Sequence, residues 1–149
     1  MDQAVTQPSG LQAPLWRAVA VFRIAALGYV TVLMVNNVTA YARPVLAWPV
    51  LAGMAAWTVL TTYAYADPAR RRPPLLVADL LIVMAAMASS MWIVGPAALE
   101  AGRPTLAVAW HVAPVIAWAV AGGRRAGIAA ALAMGATDLV TRGHFDQAA

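Results

Sequence analysis

Ionisable residues within long apolar stretches are the first candidates for chemistry in this sequence. Four such side chains occur, and they are Arg23, Asp79, His111 and Asp138. A charge inside a membrane span is costly and therefore marks a functional position by default. One histidine and one aspartate cannot supply the three or four ligands that a metal site needs, and the chain has no cysteine. No phosphate-binding loop or nucleophile motif accompanies them, so we expect no catalytic residue, no metal and no cofactor.

Arg23 and Asp79 predict an ion pair between two apolar segments. Arg23 lies about 12 Å along the first segment at 1.5 Å per residue, and Asp79 lies four residues past Leu75 in the third. Both positions fall in the same half of the predicted bundle, so the pair is geometrically allowed. A purely structural role stays open, with Arg23 extending to the headgroups and Asp79 pairing locally.

His111 and Asp138 predict a second polar site, in the other half of the bundle. Pro114 follows His111 by three residues and cannot donate a backbone hydrogen bond. A kink there would free the carbonyl of Trp110 beside His111. One interpretation is a pocket of His111, Asp138 and Trp110 that senses pH, a cation or a small ligand. The alternative is a structural His111–Asp138 hydrogen bond between two helices.

A face of small residues precedes Asp138. Gly127, Ala131 and Gly135 recur at every fourth position. Such a face allows another helix to approach closely. We therefore expect Gly135 and Pro114 to be the elements that couple helix packing to any stimulus.

The composition determines which elements must position these residues. The 149 residues are 62% hydrophobic and only 11% charged, with a mean hydropathy of +0.71, whereas about a quarter of residues in soluble domains are charged. The ten basic residues are scattered arginines rather than one basic face, which argues against a nucleic-acid partner. The composition excludes a soluble enzyme and predicts an integral membrane protein whose main partner is the lipid bilayer.

Five apolar stretches predict an all-α polytopic helix bundle. The predicted spans are residues 15–35, 45–65, 75–94, 106–121 and 126–140. A crossing helix needs about 20 apolar residues, so it stays open whether the fifth stretch fully spans. We expect a disordered N-terminus over residues 1–14, a transmembrane domain over 15–142 and a polar tail over 143–149.

The arginines predict the orientation of the bundle. Residues 70–72 and 124–125 are arginines in loops on one side, and the positive-inside rule places that side and the N-terminus in the cytoplasm. The arginine-only, alanine-rich usage indicates a bacterial plasma membrane. Five spans would then end outside, so we expect a sixth span beyond Ala149, in a longer protein.

Several short stretches carry a family resemblance that runs from about Leu15 to Arg142. They are PLWRAVAVFR at 14–23, YARP at 41–44, AAWT at 55–58, DPARRR at 67–72, LVADL at 76–80 and AWAVAGG at 117–123. In their order and spacing they resemble the N-terminal sensor region of the MacS-type sensor histidine kinases of actinobacteria.

The resemblance implies a multi-span sensor followed by a cytoplasmic dimerisation helix with a phosphoacceptor histidine, and then by an ATP-binding domain. It also implies a homodimer and a response regulator as the kinase's partner. His111 lies within a predicted span and His144 on the predicted outer side, so neither suits the phosphoacceptor role. We therefore expect this chain to have no enzymatic activity of its own.

Three functions remain open from the sequence. The first is a signal-input region that relays an extracytoplasmic or intramembrane stimulus through helix packing. The second is a small transporter or channel subunit that uses the four buried ionisable groups as a polar path. The third is a passive membrane-assembly protein.

Overall fold

The computed structural model describes residues 9–143, which contain helices and turns but no strand. The helices are α1 (Ser9–Asn37), α2 (Pro44–Ala66), α3 (Pro73–Ile93), α4 (Pro96–Glu100) and α5 (Val112–Gly143). Four of them, α1, α2, α3 and α5, are long and apolar enough to cross a membrane. The all-α fold class is confirmed for these residues, and the helices indicate a membrane protein.

The first helix begins earlier than the sequence predicts. Because α1 starts at Ser9, the expected disorder is wrong for residues 9–14. Trp16 is buried against Tyr65 with 5.0 Å between the ring centroids, and this contact anchors the beginning of the helix in the bundle. Residues 1–8 and the predicted tail from His144 onward lie outside the described residues.

Helix α5 reverses direction at Gly123. The backbone there is non-helical, with φ 74° and ψ −170°, a conformation open mainly to glycine. A Cβ on Gly127 would lie only 3.2 Å from the Cα of Ala119, although these residues would be about 12 Å apart in a straight helix. The chain therefore folds into an antiparallel hairpin with a short arm (residues 112–122) and a long arm (residues 124–143).

The predicted fourth span starts too early. Residues 105–111 form turns, and the helix begins only at Val112. Pro114 therefore lies in the first helical turn, where its missing N–H is of no consequence. The predicted kink at Pro114 is absent, and the carbonyl of Trp110 accepts a hydrogen bond from Ala113 N at 3.2 Å.

These turns are buried inside the protein. Leu106, Ala107 and Trp110 are at most 3% exposed, and Leu106 N donates to Ser90 Oγ on α3 at 2.9 Å. Non-helical backbone is tolerated at membrane depth only where protein covers it and satisfies its polar groups. The short arm extends only about 16 Å along its axis. The turns at 105–111 come directly before it and lengthen the stretch of chain that lies inside the bundle.

The helices define two ends of the bundle. At the Gly123 end, the start of α1, the end of α2, the start of α3 and the hairpin turn meet, because Val120 lines a cavity together with Trp16 and Arg71. At the α4 end, Arg142 of the long arm lines a cavity together with Thr105. Helices α1, α2 and α3 and the long arm of the hairpin thus run between the two ends.

Candidate functional site: a buried charge cluster and a hairpin cavity

Arg23 of α1 and Asp79 of α3 form a two-pronged ion pair in the interior. The two terminal guanidinium nitrogens donate to Asp79 Oδ1 at 2.7 Å and Oδ2 at 2.6 Å. The side chains are 1% and 0% exposed. The structure therefore brings the two residues together, and Arg23 does not extend to the headgroups.

Two aromatic residues of α2 complete the shell around Asp79. Trp57 Nε1 donates to Oδ1 at 2.8 Å, and the Tyr65 hydroxyl donates to Oδ2 at 3.0 Å. Asp79 thus accepts four hydrogen bonds, as a buried carboxylate requires. Sequence reasoning missed Trp57 and Tyr65, although two polar-tipped aromatic residues two helical turns apart, opposite a buried acid, were an available signal.

Aromatic rings also cover the guanidinium group. Its central carbon lies 5.9 Å from the Trp110 ring centroid and 6.0 Å from that of Tyr65, at the limit of cation–π attraction. Trp110 Nε1 donates to Thr58 Oγ1 at 3.0 Å. Trp110 is fully buried in this cluster, so its predicted place in a pocket with His111 is wrong.

The cluster is closed and electrically balanced. Arg23 and Asp79 neutralise each other, and among residues 9–143 only Arg23 Nε and Thr62 Oγ1 are buried side-chain polar atoms without a hydrogen-bond partner. A buried ion pair is tolerated when its geometry and remaining hydrogen bonds are satisfied. The arrangement therefore suits fixing α1, α2, α3 and the turns at 105–111 against one another, and it offers no reactive group.

The second polar site is a cavity of about 380 Å³ between the hairpin arms at the α4 end. We call it the hairpin cavity. Its lining includes Thr105, His111, Met134, Gly135, Asp138 and Arg142. Three predicted site residues, His111, Gly135 and Asp138, therefore share one space. Pro114 is instead buried in the core.

The predicted His111–Asp138 hydrogen bond is absent from this cavity. His111 Nδ1 lies 3.0 Å from the carbonyl of Ala107, which also accepts a hydrogen bond from the His111 backbone N at 3.0 Å. Asp138 pairs with Arg142 one helical turn later, with oxygens 3.1 and 3.2 Å from Nε. Each side chain thus finds a nearer partner on its own segment, which explains why the prediction is wrong.

The small-residue face packs at one end only. Gly127 approaches the backbone of Ala119, as expected for such a face. A Cβ on Gly135 would meet nothing within 4 Å, so the expected close approach there is wrong. The hairpin is tight near its turn and open toward the hairpin cavity.

Metal binding has no support in the described part of the chain. Within residues 9–143 no three His, Cys, Asp or Glu side chains lie close enough to hold a metal ion. Three ionisable side chains line the hairpin cavity, and they are the acidic Asp138, the basic Arg142 and the imidazole of His111. That set can hydrogen-bond to a small polar ligand.

These features define the class of protein: over residues 9–143, a helical bundle with four helices long and apolar enough to span a membrane, a buried ion pair and a polar cavity in its last hairpin. The family model for the family of unknown function DUF5931 matches residues 5–149. The chain belongs to this family. No curated protein and no solved structure matches the chain.

Proposed function

We propose that the chain is the membrane-embedded signal-input region of a sensor histidine kinase. Two observations support this proposal. The short stretches between residues 14 and 123 resemble MacS-type kinases, and the last hairpin is closed at one end and open at the other. The open hairpin is the observation that carries the proposal, because the cavity between its arms leaves space in which their spacing can change.

The Gly123 end of the hairpin acts as the pivot. Gly127 seats the long arm on Ala119, while the arms separate toward Gly135 and Asp138. A ligand or a proton in the hairpin cavity would change the spacing of the arms at the open end. Because a stimulus shifts an equilibrium only through different affinities for two states, the open and closed hairpins would be those states.

The buried charge cluster provides the fixed frame for this motion. Arg23 and Asp79 lock α1 to α3, and Trp57 and Tyr65 tie α2 to the same carboxylate. The long arm makes none of the hydrogen bonds to Asp79, although its Met134 packs in the apolar core with Trp110. A displacement of the outer end of the long arm would therefore leave these hydrogen bonds intact and pass to whatever follows it in the chain.

The orientation follows from the arginines. Arg17, residues 70–72 and residues 124–125 lie at the Gly123 end, whereas Arg43, Arg103 and Arg142 lie at the α4 end. The positive-inside rule then places the N-terminus and the Gly123 end in the cytoplasm of a bacterial cell. The hairpin cavity would face outward, and five passes would cross the plasma membrane.

The catalytic parts belong, in this proposal, to the remainder of a longer protein. A sixth span would return the chain to the cytoplasm, where a dimerisation helix and an ATP-binding domain would phosphorylate a response regulator. The protein would act as a homodimer, as the resemblance to MacS-type kinases implies.

The test uses the complete gene product in membrane vesicles, with labelled ATP. The wild-type protein should phosphorylate itself on a histidine. Gly135→Leu should change the extent of phosphorylation severalfold, because it fills the hairpin cavity and holds the arms in one state. Gly28→Leu is the matched control, since Gly28 also has nothing within 4 Å but lies on α1, outside the hairpin.

Two results would contradict the proposal. One is a complete protein that takes up no phosphate. The other is Gly135→Leu phosphorylation equal to that of Gly28→Leu and of the wild type.

The transporter alternative has weaker support. Its polar path would have to connect Arg23 and Asp79 with His111 and Asp138. The first two are closed off at 1% and 0% exposure, and His111 and Asp138 bond within their own segments. Ion flux into proteoliposomes that Asp138→Asn abolishes would favour this alternative over signalling.

A further inference from the structure

A basic cavity at the Gly123 end is not used by the proposed signalling. It measures about 330 Å³ and lies between the first turns of α1 and the last turns of α2. Its lining includes Trp16, Arg17, Thr62, Tyr65 and Arg71, and we call it the arginine cavity. A second cavity of about 200 Å³ adjoins it and shares Trp16 and Arg71.

Arg71 is held in place with part of its guanidinium group unused. Its central carbon lies 4.7 Å from the Trp16 ring centroid, and its Nε donates to the Tyr65 carbonyl at 2.7 Å. Its two terminal nitrogens make no hydrogen bond within residues 9–143. Burial lowers the pKa of Arg71 from its ordinary value, against an opposing effect of Asp67, so the guanidinium is a partly desolvated cation.

The lining of the arginine cavity has a net positive charge. Arg17 supplies a second cation, and no carboxylate of residues 9–143 lines the space. The nearby Asp67 is engaged elsewhere, accepting from Ala69 N at 2.9 Å and pairing with Arg70 at 3.4 Å. Thr62, which also lines the cavity, keeps its Oγ1 buried without a partner among the described residues.

We propose that the arginine cavity binds a phosphate group, and its position favours the phosphate of an anionic lipid headgroup. Guanidinium groups bind phosphate through two parallel hydrogen bonds, and the Thr62 hydroxyl adds a further hydrogen-bond donor. The cavity lies where the apolar α1 segment begins at Gly10 and α2 ends at Ala66, a level that the proposed membrane arrangement places among the lipid headgroups. Anionic lipids are attracted to arginines at this level.

The test measures binding to the full chain in a zwitterionic detergent. The probes are a short-chain phosphatidylglycerol, the matching phosphatidylcholine and inorganic phosphate, each by isothermal titration. The wild-type chain should bind phosphatidylglycerol at least tenfold more tightly than phosphatidylcholine. Arg71→Gln should weaken that binding about tenfold, the effect of one charge-assisted hydrogen bond. Arg70→Gln, which makes the same charge change at the next residue outside the cavity, should weaken it less than twofold.

A second pair of variants tests the proposal if Arg71→Gln does not fold. Arg17 is exposed on the rim of the cavity, so Arg17→Gln should fold and weaken binding several-fold. Arg124→Gln is its control, because Arg124 is exposed at the same end of the bundle but does not line the cavity. Inorganic phosphate that binds with the same dependence on Arg71 and Arg17, while the lipid does not, would assign the site to free phosphate.

The proposal is overturned if neither phosphate source binds, or if the cavity variants and their controls weaken binding equally. The second result would mean diffuse attraction to a basic surface. Lipid binding is measured without ATP or a kinase domain. A failure of the signalling proposal therefore leaves this result unchanged, and the reverse also holds.

Discussion

Removing the charge of Asp79 is the sharpest perturbation of the buried cluster. Asp79→Asn keeps the side chain's shape but leaves Arg23 as an uncompensated cation at 1% exposure. The new amide also brings an N–H donor close to the side chains that donate to the carboxylate in the wild-type chain. Breaking a buried ion pair by removing one partner costs about 3–5 kcal/mol. We expect a loss of this size in the free energy of unfolding.

A double-mutant cycle separates the ion pair from general damage. Arg23→Gln should also destabilise the chain, because Asp79 keeps only its bonds from Trp57 and Tyr65. The double variant removes both charges, so it should lose less than the sum of the single variants. The expected coupling is about 1–3 kcal/mol. The assay is unfolding of the purified chain in mixed micelles by titrated denaturing detergent, followed by circular dichroism.

Asp138→Asn is the matched control for this cycle. Asp138 pairs with Arg142 in the i,i+4 geometry, and the two side chains are 38% and 50% exposed. Exposed pairs of this kind contribute about 0.3–0.5 kcal/mol. Our explanation of the cluster is refuted if Asp79→Asn loses no more stability than Asp138→Asn, or if the two single losses simply add.

Further predictions concern the glycines and use the same unfolding assay. Gly127→Leu should cost about 1–3 kcal/mol, because Gly127 seats the long arm on the short one, whereas Gly28→Leu should change stability by less than about 0.5 kcal/mol. Gly95→Ala should cost about 1–3 kcal/mol, since φ is 89° and the new Cβ would lie 2.8 Å from Ala42 Cβ. Gly102→Ala should cost less than Gly95→Ala, because its φ of 82° carries the backbone strain while the space around it is open. Equal losses within either pair would contradict the packing described here.

The pairing of Arg23 with Asp79 could be predicted because few side chains in the apolar stretches can neutralise a buried charge. Charged residues within apolar stretches are rare in this chain, and each needs a partner at its own depth. The two other donors to Asp79 could not be predicted in the same way. Tryptophan and tyrosine are also typical of membrane interfaces, so composition does not distinguish Trp57 and Tyr65 from a surface residue such as Trp92, which is 60% exposed.

The turns at residues 105–111 show why hydropathy alone does not predict this part of the fold. This stretch is as apolar as a helix, and only contacts distant in sequence determine its shape. The hydroxyl of Ser90 accepts from Leu106 N, and the indole of Trp110 reaches Thr58. Within the same turns the His111 imidazole lies 3.0 Å from the Ala107 carbonyl, so the error in the span carried over into the error in the candidate site.

The hairpin reversal was predicted from its residues, whereas the number of crossings needs a direct measurement. Two adjacent glycines followed by two arginines favour a turn, and the backbone does reverse at Gly123. Among residues 9–143, however, only four helices are long and apolar enough to cross, and this count takes α5 as one helix across its reversal. The short arm reaches the α4 end only with the help of the buried turns that precede it.

The most direct test of the five-pass arrangement is cysteine accessibility, since the chain has no cysteine of its own. Single substitutions Ala69→Cys, Ala121→Cys, Ala101→Cys and Gly143→Cys report the two ends of the bundle in intact bacterial cells. We predict that an impermeant maleimide labels Ala101→Cys and Gly143→Cys, and that it reaches Ala69→Cys and Ala121→Cys only after permeabilisation. Labelling of Gly143→Cys from the same side as Ala69→Cys would mean that the long arm does not cross, and would contradict the arrangement.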